Sequence, residues 1–225
     1  LNQAQFLGQA IESVLSQAGD FYIDYIIADG GSTDESVEII KKYEKLIKNR
    51  QYPIKCWGIN YRWWSKPDRG QTQALNKGFK QAKGDICAWI NSDDYYAPGA
   101  FAVIINEFKK YPSVDLIYGN CYEVFPSGEI RRGGALAGDF KKNLKEGCLI
   151  SQPAAFFTKR VLRQVGYLDE SLQYCMDYDL WLKILKNHKA LFIEKDLAFF
   201  RVWPESKTSH QRKEFIREEN KIRKK

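Results

Sequence analysis

Two short apolar runs in this chain each end abruptly in acids. Tyr25-Ile26-Ile27-Ala28 leads into Asp29-Gly30-Gly31-Ser32-Thr33-Asp34, and Ile86-Cys87-Ala88-Trp89-Ile90 leads into Asn91-Ser92-Asp93-Asp94. A short apolar run closed by turn residues reads as a buried strand. In an open α/β sheet, ligands bind beyond the carboxyl ends of the strands. Two strands that end this way would aim several carboxylates at one crevice, where they repel unless a cation or hydrogen-bond donors neutralise them. A divalent cation carrying a phosphorylated ligand meets that demand.

The segments around these runs alternate in period. Apolar positions at helical spacing predict helices over 3–17, 34–45 and 71–82, with Gly84 ending the third, and a fourth from Pro98 to about Lys110. Strands are expected at 24–28, 53–59, 85–90 and 115–118, with an aromatic-rich loop over 61–68. Strand and helix in alternation predict an α/β domain with a largely parallel sheet. After Gly119 the pattern changes. Residues 121–125 and 129–132 bracket Pro126-Ser127-Gly128 as a hairpin, 159–165 reads as helix, and 190–193 and 198–202 read as strands. Tyr178, Trp181, Leu182 and Leu185 mark one face of a further helix. The expected organisation is one compact domain with distinct halves, 1–119 and 120–205, followed by a basic tail over 206–225.

The 225 residues can bury a core without covalent staples. Five cysteines (Cys56, Cys87, Cys121, Cys148, Cys175) are scattered, none at metal-ligand or redox spacing. Reduced thiols in a reducing compartment are therefore expected, and with them a cytoplasmic location. The net charge of +7 is uneven: 207–225 holds eight Lys/Arg against three Glu, or +5, leaving +2 elsewhere. Such a tail is either a solvated helix or a contact with an anionic membrane face. Basic residues are not interleaved with stacking aromatics, so no nucleic-acid partner is expected.

Three acidic sites could carry chemistry. The turn 29–34 joins a strand to a helix, and its glycines allow close ligand approach; the alternative is a capped turn. Asp93-Asp94 could divide work, one carboxylate binding metal and the other a hydroxyl; the alternative is a solvated turn. Asp177-Tyr178-Asp179 opens a helix, where one acid can cap and the other, Asp177, can face the crevice as a base. Trp57, Trp63 and Trp64 could stack on a sugar or pack on the sheet edge. Gln152-Pro153 is expected in the core, and His188 and His210 on the surface.

The ordered set Asp29-Gly30-Gly31-Ser32-Thr33-Asp34, then Asp68-Arg69-Gly70 with Ala74-Leu75-Asn76-Lys77-Gly78, then Asn91-Ser92-Asp93-Asp94 resembles the family-2 inverting glycosyltransferases. Gly166-Tyr167-Leu168-Asp169-Glu170 and Met176-Asp177-Tyr178-Asp179-Leu180-Trp181-Leu182 are similar to that family's acceptor-side segment. The resemblance implies a GT-A fold, with a Rossmann-like, mostly parallel sheet flanked by helices. It makes 1–119 the donor-binding half and 120–205 the acceptor side. Asp29 would read the nucleotide base beside Gly30 and Ser32. Asp68 and Arg69 would complete the base or phosphate site, and Asp93 would meet the ribose or metal. Asp94 would bind Mg²⁺ or Mn²⁺, and Asp177 would be the catalytic base. The family's first strand has no counterpart before Asn2. Met176 stands where the family has Glu, and Val202-Trp203-Pro204 stands where many relatives carry a His after the Arg matching Arg201.

The implied function is inverting transfer of a sugar, with a UDP-sugar the first expectation, to a glycan or lipid-linked saccharide in bacterial cell-surface polysaccharide synthesis. The location would be cytoplasmic, at the inner membrane face if the tail attaches there. The rivals are a nucleotidyltransferase releasing pyrophosphate and a nucleotide-sugar-binding module without activity.

Overall fold

The computed structural model describes residues 1–133 and 148–224. The chain opens with helix α1 (Ala4–Leu15) and runs through strand β1 (Gly19–Asp29), α2 (Ser36–Lys48), β2 (Cys56–Ser65) and α3 (Gln71–Gln81). Two short strands, β3 (Ile86–Cys87) and β4 (Tyr95–Tyr96), precede α4 (Ala100–Lys110). β5 (Leu116–Val124) and β6 (Ile130–Arg132) form the expected hairpin, pairing Tyr122 with Arg132. A 3₁₀ turn (Gln152–Ala154) leads into β7 (Ala155–Thr158), α5 (Lys159–Val165), α6 (Met176–Asn187) and β8 (Ala190–Arg201). The chain then forms α7 (Lys207–His210) and α8 (Arg212–Arg223).

The architecture is α/β, with two sheets. β1 and β2 pair in parallel. The second sheet has the order β3-β7-β5-β8-β4, with β6 added on β5. Here β5 and β8 are parallel, while the other pairings are antiparallel. Parallel pairing is thus narrower than strand–helix alternation suggests, because β7 and β4 enter the sheet in the opposite sense.

Several boundaries differ from the sequence-based expectation, each for a physical reason. The aromatic stretch 61–65 continues β2 rather than forming a loop, since its backbone pairs residue for residue with Tyr25 to Asp29. The apolar run 86–90 is a strand only at Ile86 and Cys87, where β7 supplies a ladder. α4 begins after Gly99 rather than at Pro98, because Gly99 adopts a left-handed conformation (φ 76°) that interrupts the helix. Residues 190–201 form one strand, since β5 offers a continuous parallel partner.

Period-2 alternation sorts the core onto the two faces of this sheet. Leu116 and Tyr118 of β5 point into a cluster with Trp89, Phe157, Tyr178 and Trp181 under α5, α6 and α8. Ile117, between them, points the other way, to Ile104 of α4, Phe156 and Leu197. A third cluster fixes α1 and α2 to each other through Leu7, Ile11, Ile40 and Tyr43. Trp181 is fully buried and stacks on Trp89, ring centroids 5.8 Å apart and planes 21° apart. Trp181→Ala should cost about 3–5 kcal/mol, read as a drop in the midpoint of chemical denaturation.

The basic tail is not a free arm. Ile222 of α8 is 3% exposed within the first core cluster, and Phe215 packs against the same cluster. Its amphipathic face therefore turns toward the protein, with most of its basic residues on the outside. No helix among the described residues is long and apolar enough to cross a membrane.

Candidate active site

The strand ends and the start of α6 converge on one cleft, lined among others by Gly30, Asp68, Asn91, Asp93, Gln173 and Asp177. Its volume of about 1690 Å³ exceeds the ~300–1,000 Å³ of a pocket for one small ligand. It also continues between β1 and residues 84–90, so the catalytic region is only part of it.

Asp29 closes β1 and organises the turn after it. Its Oδ2 accepts from the amides of Gly31 (3.1 Å) and Ser32 (2.9 Å) and from Ser65 Oγ (2.6 Å), and its Oδ1 from Ser32 Oγ (2.5 Å). Burial pushes this carboxyl up, but the donors from Ser32, Ser65 and Gly31 outweigh it and hold the pKa below the usual value. Ser32 Oγ also accepts the amide of Asn2 (2.9 Å), and Asp34 Oδ2 accepts that of Ala4 (2.9 Å). Asp34 Oδ1 also accepts the Ser36 amide at the start of α2 (3.0 Å). Asp29 and Ser32 therefore direct their polar atoms into the turn and the start of α1. Gly30 is the member of this turn that meets the cleft. A Cβ built there would lie 3.0 Å from Asp68 Oδ2, so glycine at this position makes room for that carboxylate.

The 68–70 loop crosses the cleft between β2 and α3. Asp68 Oδ1 accepts the Gly70 amide (2.9 Å), and Gly70 has φ 125°. A Cβ at Gly70 would meet Gln173 Oε1 at 2.7 Å, so this loop lies directly against the segment that leads to Asp177. Arg69 points outward, with a loose ion pair to Glu170 (3.5 Å).

Asp93 and Asp94 differ sharply in environment. Asp93 lines the cleft, and its Oδ2 accepts from Trp203 Nε1 (3.0 Å). Asp94 is 1% exposed behind it. Its Oδ1 accepts the Arg201 amide (2.9 Å), and its Oδ2 accepts from Asn91 Nδ2 (3.3 Å). Burial, and then the neighbouring Asp93 charge, push the Asp94 carboxyl up to about 8 against those donors. Arg201 Nε donates to the Asp93 carbonyl (2.9 Å), fixing the pair to the end of β8. Among the described residues no three His, Cys, Asp or Glu side chains are grouped to hold a metal. A magnesium-type ion does not require three, since one or two carboxylates and phosphate oxygens complete its shell. Two adjacent acids, one pushed up partly by the charge of the other, suit such an ion, which would relieve their repulsion.

Asp177 stands in the first turn of α6 and faces the cleft. Burial pushes its carboxyl up to about 6; amides of Tyr178 and of Asp177 itself oppose this, and the Glu218 charge adds to it. Asp179 turns instead into the protein, 5% exposed, beside Lys183 (2.7 Å). No side chain caps this helix at Cys175.

Of the eight residues that sequence reading assigned to the site, Gly30, Asp68, Asp93 and Asp177 line the cleft; Asp29, Ser32 and Asp94 stand behind it, and Arg69 points outward. Sequence reading did not find the residues that fix them. Gln152 is buried, as expected of the core, but its side chain works for the site, donating to the Trp89 carbonyl (2.7 Å) and accepting from Asn91 (3.4 Å). Gln71 Nε2 donates to Asn91 Oδ1 (2.7 Å). Trp203 stands on Asp93, in the region where the family's His was missing. A polar residue inside an apolar run, as at Gln152, was the one available signal. His188 is also not a bare surface residue, since its Nδ1 lies 3.0 Å from buried Asp115. Trp64 packs under Lys77, whose Nζ is 4.5 Å from the ring centre, while Trp57 is 62% exposed beside Tyr22.

The model of the family described as Glycosyl transferase family 2 matches residues 1–165. An uncharacterized glycosyltransferase of Rickettsia typhi is 29% identical over 214 residues, covering 89% of this chain and 61% of that protein. The chondroitin synthase of Pasteurella multocida is 27% identical over 196 residues, covering 86% of this chain and 19% of the synthase. The chain thus spans about three fifths and one fifth of these relatives. Among solved structures, S. aureus TarS 1-349 in complex with UDP-GlcNAc superposes with a TM-score of 0.71 at 16% identity, covering 93% of this chain and 58% of that one. That likeness shows the fold, which is of the GT-A type.

Proposed function

This chain belongs to glycosyl transferase family 2, and from that premise we propose that it transfers a sugar, with inversion, from a nucleotide-sugar donor to a saccharide acceptor. The observation that carries this reading is the placement of Asp93 and Asp177 on one cleft, one at a strand end and the other at a helix start. A UDP-sugar is the donor we favour, supported by the likeness to a structure that holds UDP-GlcNAc. A growing glycan or lipid-linked saccharide is the acceptor we favour, supported by the similarity to a chondroitin synthase.

The donor seats with its nucleotide against the 29–34 turn and the 68–70 loop, and with its diphosphate toward Asp93. The Asp93-Asp94 pair would hold Mg²⁺ or Mn²⁺, which when bound neutralises charge gathering on the leaving diphosphate. On the other side, Asp177 accepts the proton of the acceptor hydroxyl. The acceptor oxygen forms its bond to the anomeric carbon as the bond from that carbon to the diphosphate oxygen breaks, and the electron pair leaves with the nucleoside diphosphate. Attack and departure on opposite faces invert the configuration, and no covalent enzyme intermediate forms.

A panel of nucleotide sugars with Mn²⁺, scored by thermal stabilisation, tests donor recognition. A ligand that binds only the folded state at a hundred times its Kd adds about 2.7 kcal/mol of stability. One uridine-linked sugar should stand out. A panel in which nucleoside triphosphates stabilise and no nucleotide sugar does would overturn the reading.

A further inference from the structure

The tail helix reaches the catalytic side of the cleft through one carboxylate. Glu218 of α8 accepts three consecutive backbone amides: Gln173 (Oε1, 2.9 Å), Tyr174 (Oε2, 2.7 Å) and Cys175 (Oε2, 2.7 Å). These are the last residues before α6, and Asp177 follows Cys175 by two positions. Hydrogen bonds to an ionised acceptor are shorter and about twice as strong as neutral ones, and three on adjacent amides fix the path of that backbone.

The clamp is well anchored. α8 is held by Ile222 in the core, by the Phe215 ring against Tyr174 (5.1 Å), and by Cys175 Sγ donating to the Phe215 carbonyl (3.5 Å). From the opposite side, Thr72 Oγ1 of α3 donates to the Leu172 carbonyl (2.8 Å). Lys207 Nζ donates to the Gln173 carbonyl. Gln173 itself presses on Gly70, so the same backbone sets both the start of α6 and one wall of the donor-side loop.

We propose that Glu218 is a positioning residue, whose carboxylate holds the 173–175 backbone so that Asp177 meets the acceptor hydroxyl and the 68–70 loop keeps its place. This rests on the reading of Asp177 as the base. It gives the inward face of the tail helix a role in turnover. Both Glu218 and Asp177 lie beyond the residues that the family model matches.

Glu218→Ala and Glu218→Gln, with Glu214→Gln as a control on the exposed Glu214–Arg217 pair of the same helix, separate this role from plain stability. All are assayed well below their melting temperatures, with Asp177→Asn alongside. Glu218→Ala should lower kcat at least tenfold and, through the 68–70 loop, raise the KM for donor by a smaller, few-fold factor. Glu218→Gln keeps one acceptor oxygen for the Tyr174 and Cys175 amides but turns a donor toward the Gln173 amide, so it should recover only part of that loss. The groups facing Asp177 and this backbone are Glu218 and Glu219 of α8, the Cys148 and Cys175 thiols and Lys207. Removing the Glu218 charge should therefore move the acid limb of kcat/KM to lower pH, which a structural role alone would not do. Full kcat and an unmoved limb in Glu218→Gln, with Asp177→Asn inactive, would overturn the inference alone, even if Glu218→Ala does not fold. Full transfer by Asp177→Asn would overturn the base reading on which it depends.

Discussion

Asp177→Asn should lower the rate of sugar transfer by about 10²–10⁴-fold, the range that a positioned general base contributes, while donor-induced thermal stabilisation stays intact. Asn keeps the size and much of the hydrogen-bonding capacity of the side chain and loses the ability to take a proton. The fold should tolerate it. Burial already disfavours the charged form of Asp177, whose pKa stands near 6, and a neutral isostere removes that penalty. The same shift sets a pH signature. Below about 6 the carboxyl is protonated and cannot accept the acceptor's proton, so kcat/KM should fall about tenfold per pH unit; above 6 this group no longer limits the rate. Residual transfer by Asp177→Asn should lack that limb. Parent-level transfer by the variant would show that the proton goes elsewhere.

Removing divalent metal should be the second large effect. Charge stabilisation by a bound metal is worth several kcal/mol, and each 1.36 kcal/mol is tenfold in rate, so chelation should cost at least ~10²–10³-fold. Mn²⁺ or Mg²⁺ should restore the activity. Asp93→Asn should mimic the loss, because Asp93 is the member of the pair that lines the cleft. Asp94→Asn removes the second carboxylate of the pair and should weaken metal retention less, since Asp94 is buried and also engaged by Asn91 and Arg201. Full turnover in the presence of a chelator would remove the metal role from this pair.

How much of this was legible in the sequence follows from the range of the forces involved. The helices 71–81 and 176–187 were readable because apolar periodicity is local and Gly84 and the Asp177-Tyr178-Asp179 acids punctuate it. The acidic turns were readable because strand ends and glycines leave a short signature. Strand length was not: 86–90 has the composition of a buried strand, yet only the residues that β7 reaches are paired. The same blindness to partners hid the continuation of β2 through Trp63 and Trp64, which depends on β1. The division of labour at the site was also a tertiary fact. Asp93 and Asp94 are neighbours in sequence, and only the arrival of Arg201 and Trp203, more than a hundred residues later, makes one inner and the other outer. Asp29 looked like a free acceptor until Ser65, from the next strand, completed its set of donors. Glu218 was invisible for the same reason: within a run of charges nothing marks the one carboxylate that turns inward.

The central claim is inverting transfer at an anomeric carbon by the cleft that Asp93 and Asp177 share. Its most direct test uses water as the acceptor. The protein is incubated with Mn²⁺ and the nucleotide sugar that stabilises it most, and the products are followed by ³¹P and ¹H NMR. The account predicts a nucleoside diphosphate together with a first-formed free sugar of the anomeric configuration opposite to the donor's, with both signals lost in Asp177→Asn. Release of pyrophosphate from a nucleoside triphosphate, or a first-formed sugar of retained configuration, would contradict it.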